Sequence, residues 1–234
     1  MSNEQTTPEH DTQNPATAAR VQLRWPLISG AGGLLLGAAL GGIVLLRGNT
    51  PLEADEEWME EILEHRSALW DVPSYVLNFV GTGWFAITVS LVLVGILFFA
   101  LKWRWTALFA LLSIGLSSAV VQLLKIAFGR HRPEDILLTI DSGSFPSGHV
   151  ANAATLMTVI AIIVWKRWVF VVGAIYVVLM ALSRTYLGAH WVTDTIGGLF
   201  IGAGVAIIIW APLARRIRDE RASTKGRIRS SVKA

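Results

Sequence analysis

Six long apolar stretches, divided by short polar or charged links, dominate the pattern of the chain. They run over about 26–46, 84–101, 105–128, 148–165, 168–184 and 192–212. Each approaches the ~20 apolar residues that a helix needs to cross a hydrocarbon core. In lipid a helix satisfies its own backbone, whereas an open strand does not. The pattern therefore predicts an all-α protein, a bundle of six transmembrane helices. The fifth stretch is short, and the third carries Lys125 near its end.

The link after the first stretch has a different pattern. Thr50-Pro51-Leu52-Glu53 reads as a capping box with proline at the first helical position. Trp58, Met59, Ile62 and Leu63 then share one face, and Glu56, Glu57, Glu60, Glu61 and Glu64 the other. A short amphipathic helix is predicted over 51–66, lying along the outer surface as a structural cover on the bundle. Pro73–Phe79 adds a second short piece before Gly81 and Gly83 lead into the next stretch. Residues 1–24, rich in Thr, Gln, Asn and Pro, are predicted to be a disordered tail. Residues 25–214 form one membrane domain, and 215–234 a basic tail with a disordered terminus. No cleavable signal peptide is expected, because the apolar run begins only near Pro26.

Composition supports a membrane setting. The chain is 53% hydrophobic and only 16% charged, too few charges to cover a water-facing surface. Cysteine is absent, which excludes disulfides and thiolate metal sites. The net charge of +3 says less than its distribution. Arg20, Arg24, Lys102, Arg104, Lys166, Arg167 and eight basic residues from Arg215 to Lys233 all fall on one side of a six-span layout, 14 of the 20 Lys and Arg. The positive-inside rule makes that side the cytoplasm. Both termini are then cytoplasmic in a multi-pass protein of the cell membrane. Trp25, Trp103, Trp105, Trp165, Trp168 and Trp210 mark the cytoplasmic interface, and Trp84 and Trp191 the outer one. The basic residues form no nucleic-acid footprint, and the sequence assigns no oligomeric state.

Three polar clusters border the apolar stretches, and the layout brings all three to the outer edge. They are Lys125 to Arg132-Pro133, Pro146-Ser147-Gly148-His149, and Ser183-Arg184 through His190 to Asp194. Ionisable groups near hydrocarbon need a partner or a function. Lys125, Arg132 and Arg184 are three cations with too few neighbouring carboxylates, a setting that suits an anion. Arginine grips phosphate oxygens bidentately, and lysine serves as a compact charge. Ser147 and Gly148 open a helix, whose N–H groups and dipole favour negative charge. His190 and Asp194 are four apart, so the carboxylate can fix one imidazole nitrogen and leave the other free to attack. His149 can protonate a departing oxygen and later activate water. The set describes metal-free phosphoryl transfer, with cations stabilising charge on the transferred group. No metal or other cofactor is expected, because the surrounding cations oppose a bound cation. Arg130 is open to two readings, contact with a second phosphate or headgroup and an interfacial anchor. His131 has no assigned role. Ser183 is read as a packing or hydrogen-bonding residue.

These motifs resemble the type 2 phosphatidic acid phosphatase superfamily, the lipid phosphate phosphatases. That family carries Lys-x6-Arg-Pro, then Pro-Ser-Gly-His, then Ser-Arg-x5-His-x3-Asp, and this chain matches every signature position over 125–194. The resemblance implies His190 as phosphohistidine nucleophile, Asp194 as its partner and His149 as acid. It implies Lys125, Arg132, Ser147, Gly148 and Arg184 as phosphate ligands. The expected substrate is a membrane lipid phosphate or diphosphate: phosphatidylglycerophosphate, phosphatidic acid or undecaprenyl diphosphate. A vanadate haloperoxidase has a similar site, but those enzymes are soluble and larger. A channel, transporter or scaffold would place polar residues through the midspans, where this sequence is almost wholly Leu, Val, Ile, Ala and Gly.

Overall fold

The computed structural model describes residues 15–138 and 143–231, and every regular element among them is helical. In order they are α1 (Pro15–Leu46), α2 (Glu53–Glu64), α3 (Ala68–Gly81), α4 (Gly83–Gly95), which runs on through a π-helical turn (Ile96–Ala100), α5 (Arg104–Phe128), α6 (Gly148–Val164), α7 (Arg167–Tyr186) and α8 (Val192–Ser231). Five helical segments are long and apolar enough to cross a membrane: Leu23–Leu46, Gly83–Ala100, Arg104–Phe128, Arg167–Tyr186 and Val192–Thr224. Large apolar side chains such as Leu35, Ile87, Phe99, Leu123 and Val171 point outward from them. A water-facing protein would bury such a surface, so the chain is a multi-pass membrane protein.

The expected sixth span is α6, at 17 residues the shortest of the bundle helices. At 1.5 Å per residue it reaches about 26 Å, less than the ~30 Å hydrocarbon core. The reason lies in its surroundings. It is the central helix, packed by α5, α7 and α8, and its first turn opens inside the polar pocket described below.

Small residues set the spacing around α6. A Cβ on Gly198 of α8 would stand 2.5 Å from the Ser147 carbonyl, and one on Gly202 would drive into the Ala151 carbonyl. The Thr155 hydroxyl donates to Ser117 Oγ of α5 at 2.8 Å and lies 3.1 Å from the Gly202 carbonyl. These contacts are the small-residue packing and interhelical hydrogen bonding that join helices where no water drives them together. They are also polar groups in the middle of the spans, which the apolar composition of the stretches concealed.

On the other face of α8, Gly30, Gly33 and Gly37 of α1 meet Gly204, Phe200 and Gly197 in reverse order, so α1 and α8 run antiparallel. Consequently the end of α1, α2, the end of α5, the start of α6, the end of α7 and the start of α8 gather at one end of the bundle. The opposite end carries Trp165 beside Trp210, with ring centroids 6.1 Å apart, and Arg216 stacked 4.2 Å from the Trp105 ring. There Glu220 of α8 accepts the Trp105 and Thr106 backbone N–H groups at 2.9 and 3.1 Å, and the Thr106 hydroxyl. A carboxylate from one helix thus caps another.

Three local expectations are corrected. Residues 15–24 belong to α1 rather than to a disordered tail, and residues 215–231 continue α8. Residues 1–14 and 232–234 lie outside the described residues. The surface helix begins at Glu53 rather than at Pro51. Its N-terminal cap is Leu52, whose N–H donates to the Asp55 carboxylate at 3.1 Å, while Thr50 turns back to the Arg47 carbonyl. The piece expected over 73–79 is the longer α3.

Candidate active site

The three motifs meet at the α2 end of the bundle. Helix α5 stops at Gly129, whose left-handed backbone (φ +54) lets its N–H close on the Lys125 carbonyl. Lys125 therefore sits in the last turn, with its chain turned inward. Its Nζ donates to the Gly143 carbonyl at 2.5 Å, and Arg132 Nη2 reaches the same oxygen at 3.3 Å. Arg132 Nη1 donates to the Ala189 carbonyl and lies 3.5 Å from His190 Nε2. The loop after α5 thus folds back over the start of α6 and brings two cations to the imidazole.

Arg184 comes from the last turn of α7 and is fully buried. Its Nη1 donates to Asn78 Oδ1 of α3 at 2.6 Å, while Nε and Nη2 have no partner among the described residues. Those two nitrogens form one edge of the guanidinium, the edge that takes a phosphate bidentately. Ser147 caps the start of α6, and its N–H donates to the Asp194 carbonyl at 2.9 Å. Its hydroxyl is buried and has no partner among the described residues, and the same holds for His149 Nε2. Gly148 follows as the first residue of α6. The His149 ring bonds the Asn78 backbone and presses so closely on Gly81 of α3 that a Cβ there would overlap it.

His190 is buried just before α8, with Nδ1 3.6 Å from Asp194 Oδ2. The pair was expected on one helical face. In fact α8 begins only at Val192, and Asp194 is in its first turn, with Oδ2 accepting the Trp191 N–H at 2.9 Å. Burial holds the imidazole well below the ordinary histidine pKa, and Lys125, Arg132 and Arg184 push the same way, against one backbone hydrogen bond at Ser144. His190 is accordingly a neutral ring, the protonation state of a nucleophile.

One feature escaped the sequence reading. Arg130 is neither a surface anchor nor a headgroup contact. It is 1% exposed and lies between two fully buried carboxylates, with Nη2 2.7 Å from Asp55 Oδ2 and Nη1 2.6 Å from Asp194 Oδ1. Asp55 also accepts the Thr193 N–H at 2.9 Å and the Thr193 hydroxyl at 2.8 Å. The available signal was periodicity: Asp55 falls in line with Met59 and Ile62, an acid on the apolar face of α2. His131 is exposed, and its carbonyl accepts from Trp191 Nε1 and Ser144 Oγ. Ser183 donates to the Met180 carbonyl at 2.8 Å, a helix-internal bond.

An apolar cavity of about 350 Å3 opens beside this pocket, between α4, α5, α6 and α7. Phe85, Val89, Ile114, Leu156 and Met157 line it, and His149 forms part of its wall.

The family model described as the PAP2 superfamily matches residues 106–218. Phosphatidylglycerophosphatase B of Bacillus subtilis is 35% identical over 122 residues, 48% of this chain and 60% of that protein. Undecaprenyl-diphosphatase of Sulfolobus acidocaldarius is 34% identical over 65 residues, 28% of this chain and 31% of that one. The chain thus spans less than two thirds of the length of these relatives. In structure it is similar to a transmembrane PAP2-type phosphatidylglycerolphosphate phosphatase from Bacillus subtilis, with TM-score 0.68 and 25% identity over 77% of this chain and 94% of the other.

Proposed function

We propose that the protein is an integral membrane phosphatase that removes phosphate from a lipid phosphomonoester or diphosphate through a phosphohistidine on His190, without a metal ion. The observation that carries this reading is the set of buried polar atoms that have no hydrogen-bond partner among the described residues. Arg184 Nε and Nη2, Ser147 Oγ and His149 Nε2 belong to the residues around His190. Leaving such atoms unsatisfied costs about 1–3 kcal/mol each, so a site that keeps several together is built for a ligand that satisfies them. A phosphoryl group offers acceptor oxygens to the arginine edge, to the serine hydroxyl and to the two further cations.

The steps follow from the atoms. His190 Nε2 attacks phosphorus, the N–P bond forms, and the bond from phosphorus to the lipid oxygen breaks. His149 gives its proton to that oxygen. It then takes a proton from water, which attacks phosphorus, breaks the N–P bond, and releases inorganic phosphate and the neutral imidazole. Asp194 Oδ2 faces Nδ1 at 3.6 Å, and closing that gap lets the carboxylate orient the ring. Lys125, Arg132 and Arg184 hold the charge of the transferred group in a site largely closed to water.

The apolar cavity with His149 in its wall supports a substrate whose leaving group is a lipid, arriving sideways from the bilayer. The names of the relatives support phosphatidylglycerophosphate and undecaprenyl diphosphate as candidates, with phosphatidic acid beside them. The basic residues around Trp103, Trp105 and Trp165 lie at the end opposite the site, which supports an extracytoplasmic active site. The test is phosphate release from these three lipids in detergent with chelator present. The expected result is turnover by the wild type and none by His190→Ala. Retained turnover in His190→Ala, or loss on chelation restored by magnesium, overturns the mechanism.

A further inference from the structure

We propose that Asp55 is a positioning residue for this reaction: it takes up the charge of Arg130, so that the charge of Asp194 remains available to His190. The proposal rests on the phosphatase reading above. It adds α2, an element outside the signature motifs, to the machinery.

Arg130 stands between two carboxylates and divides its donors. Nη2 goes to Asp55, and Nη1 goes to Asp194 Oδ1 and, at 2.8 Å, to Thr193 Oγ. Its guanidinium carbon lies 5.8 Å from the centre of the Trp191 ring. Asp55 gathers four donors: Arg130, the Thr193 N–H and hydroxyl, and the Leu52 N–H of its own helix start. Asp194 spends Oδ1 on Arg130 and keeps Oδ2 for the Trp191 N–H and the His190 side.

Two consequences follow. A lone Arg130–Asp194 pair would be neutral, and the carboxylate would have little field left for the imidazole. With Asp55 the three groups carry one net negative charge, all of it in low dielectric, where it acts strongly on His190. That charge favours the imidazole when it gains positive charge on bonding to phosphorus. Geometry points the same way. Held by Asp55, Arg130 presents one nitrogen to Asp194. Released, it is free to grip both Asp194 oxygens and to turn Oδ2 away from Nδ1. The donors to Asp55 come from Arg130, Thr193 and Leu52, none of which is assigned to the phosphate.

The experiment is a double-mutant cycle on phosphate release from phosphatidic acid, with full-length protein in detergent. Asp55→Asn should lower kcat by about 10- to 100-fold, the range found when a partner holding an active group is removed, with KM unchanged. In an Asp194→Asn background it should lower kcat no further. Multiplying losses, or a raised KM with unchanged kcat, overturns the proposal. Where Asp55→Asn does not fold, Thr193→Val decides. It removes a donor without removing a charge, and its loss of about tenfold or less should likewise vanish in the Asp194→Asn background. Substrate-free modification of His190 by diethyl pyrocarbonate, read by mass spectrometry, separates this proposal from the reading it rests on. If the wild type releases no phosphate from any of the three lipids, the phosphatase reading falls. The positioning role then stands only if Asp55→Asn and Asp194→Asn slow that modification equally, and an unchanged rate in Asp55→Asn removes it.

Discussion

Replacing Gly198 by alanine tests whether the spacing of α6 and α8 sets the site. Gly198 lies one turn beyond Asp194, against the first turn of α6. Its added Cβ would stand 2.5 Å from the Ser147 carbonyl oxygen and 3.3 Å from the Ala151 nitrogen. Ordinary contact begins near 3.4 Å, so the deficit is about 0.9 Å. Both obstructing atoms are backbone, and the Ser147 carbonyl already accepts the Ala151 N–H at 3.0 Å, so no side chain can swing aside. The start of α6 must move, carrying Ser147 and His149 away from Asp194 and His190. A displacement near 1 Å costs on the order of 100-fold in rate. Overpacking itself costs about 1–3 kcal/mol, within what a bundle of this size withstands. Gly115→Ala is the control, because nothing lies within 4 Å of a Cβ there. The assay is the initial rate of phosphate release from phosphatidic acid in detergent, with elution profile and Tm as fold checks. Gly198→Ala should lose about 100-fold in kcat while Gly115→Ala matches wild type. A Gly198→Ala protein within about threefold of wild type refutes the reasoning.

The remaining predictions concern charge and topology. His190 is held neutral by burial and by its three cations, so the acid limb of kcat/KM due to its protonation should fall below about pH 6.5. Arg132→Gln removes a cation that disfavours the imidazolium, and the limb should move to higher pH; a move to lower pH contradicts the assignment. Arg130→Ala leaves two buried carboxylates uncompensated, a loss of about 3–5 kcal/mol. Its Tm should drop by roughly 10 °C, whereas Arg132→Ala loses activity with its Tm nearly unchanged. The chain contains no cysteine, so Glu134→Cys introduces a single thiol in the exposed loop after α5. An impermeant maleimide should label it on intact cells, and labelling only after lysis reverses the proposed orientation.

What the sequence made legible follows from what its signals measure. Apolar runs report contact with lipid, and they located the helix ends on the motif-bearing side of the bundle to within a few residues. The three motifs were readable because chemistry needs those residue types whatever surrounds them. Helix outside the membrane gives no such signal: α8 continues past Ala214 through a polar stretch, and α1 starts at Pro15. Buried polar pairing is hidden for a different reason. Arg130 looked like one more basic residue at an interface, and Asp55 like one acid in an acidic helix, because each is defined by a partner distant in sequence. The ion pair joining them comes from an α2 that packs onto the start of α8, a tertiary fact that no local pattern encodes.

Glu220 gives the bundle a mechanical property. Helix α8 begins beside the His190 imidazole, and roughly 40 Å further along its axis the same helix grips the start of α5 through Glu220. Helix α5 returns over about 32 Å to present Lys125. The two rods are thus fastened at the far end and meet again at the pocket, like the arms of closed tongs. Neither can slide along the other without breaking the clasp. Relative movement at the pocket end of the bundle then falls to the parts that the clasp leaves alone, α2 and α3, while α5 and α8 keep their register.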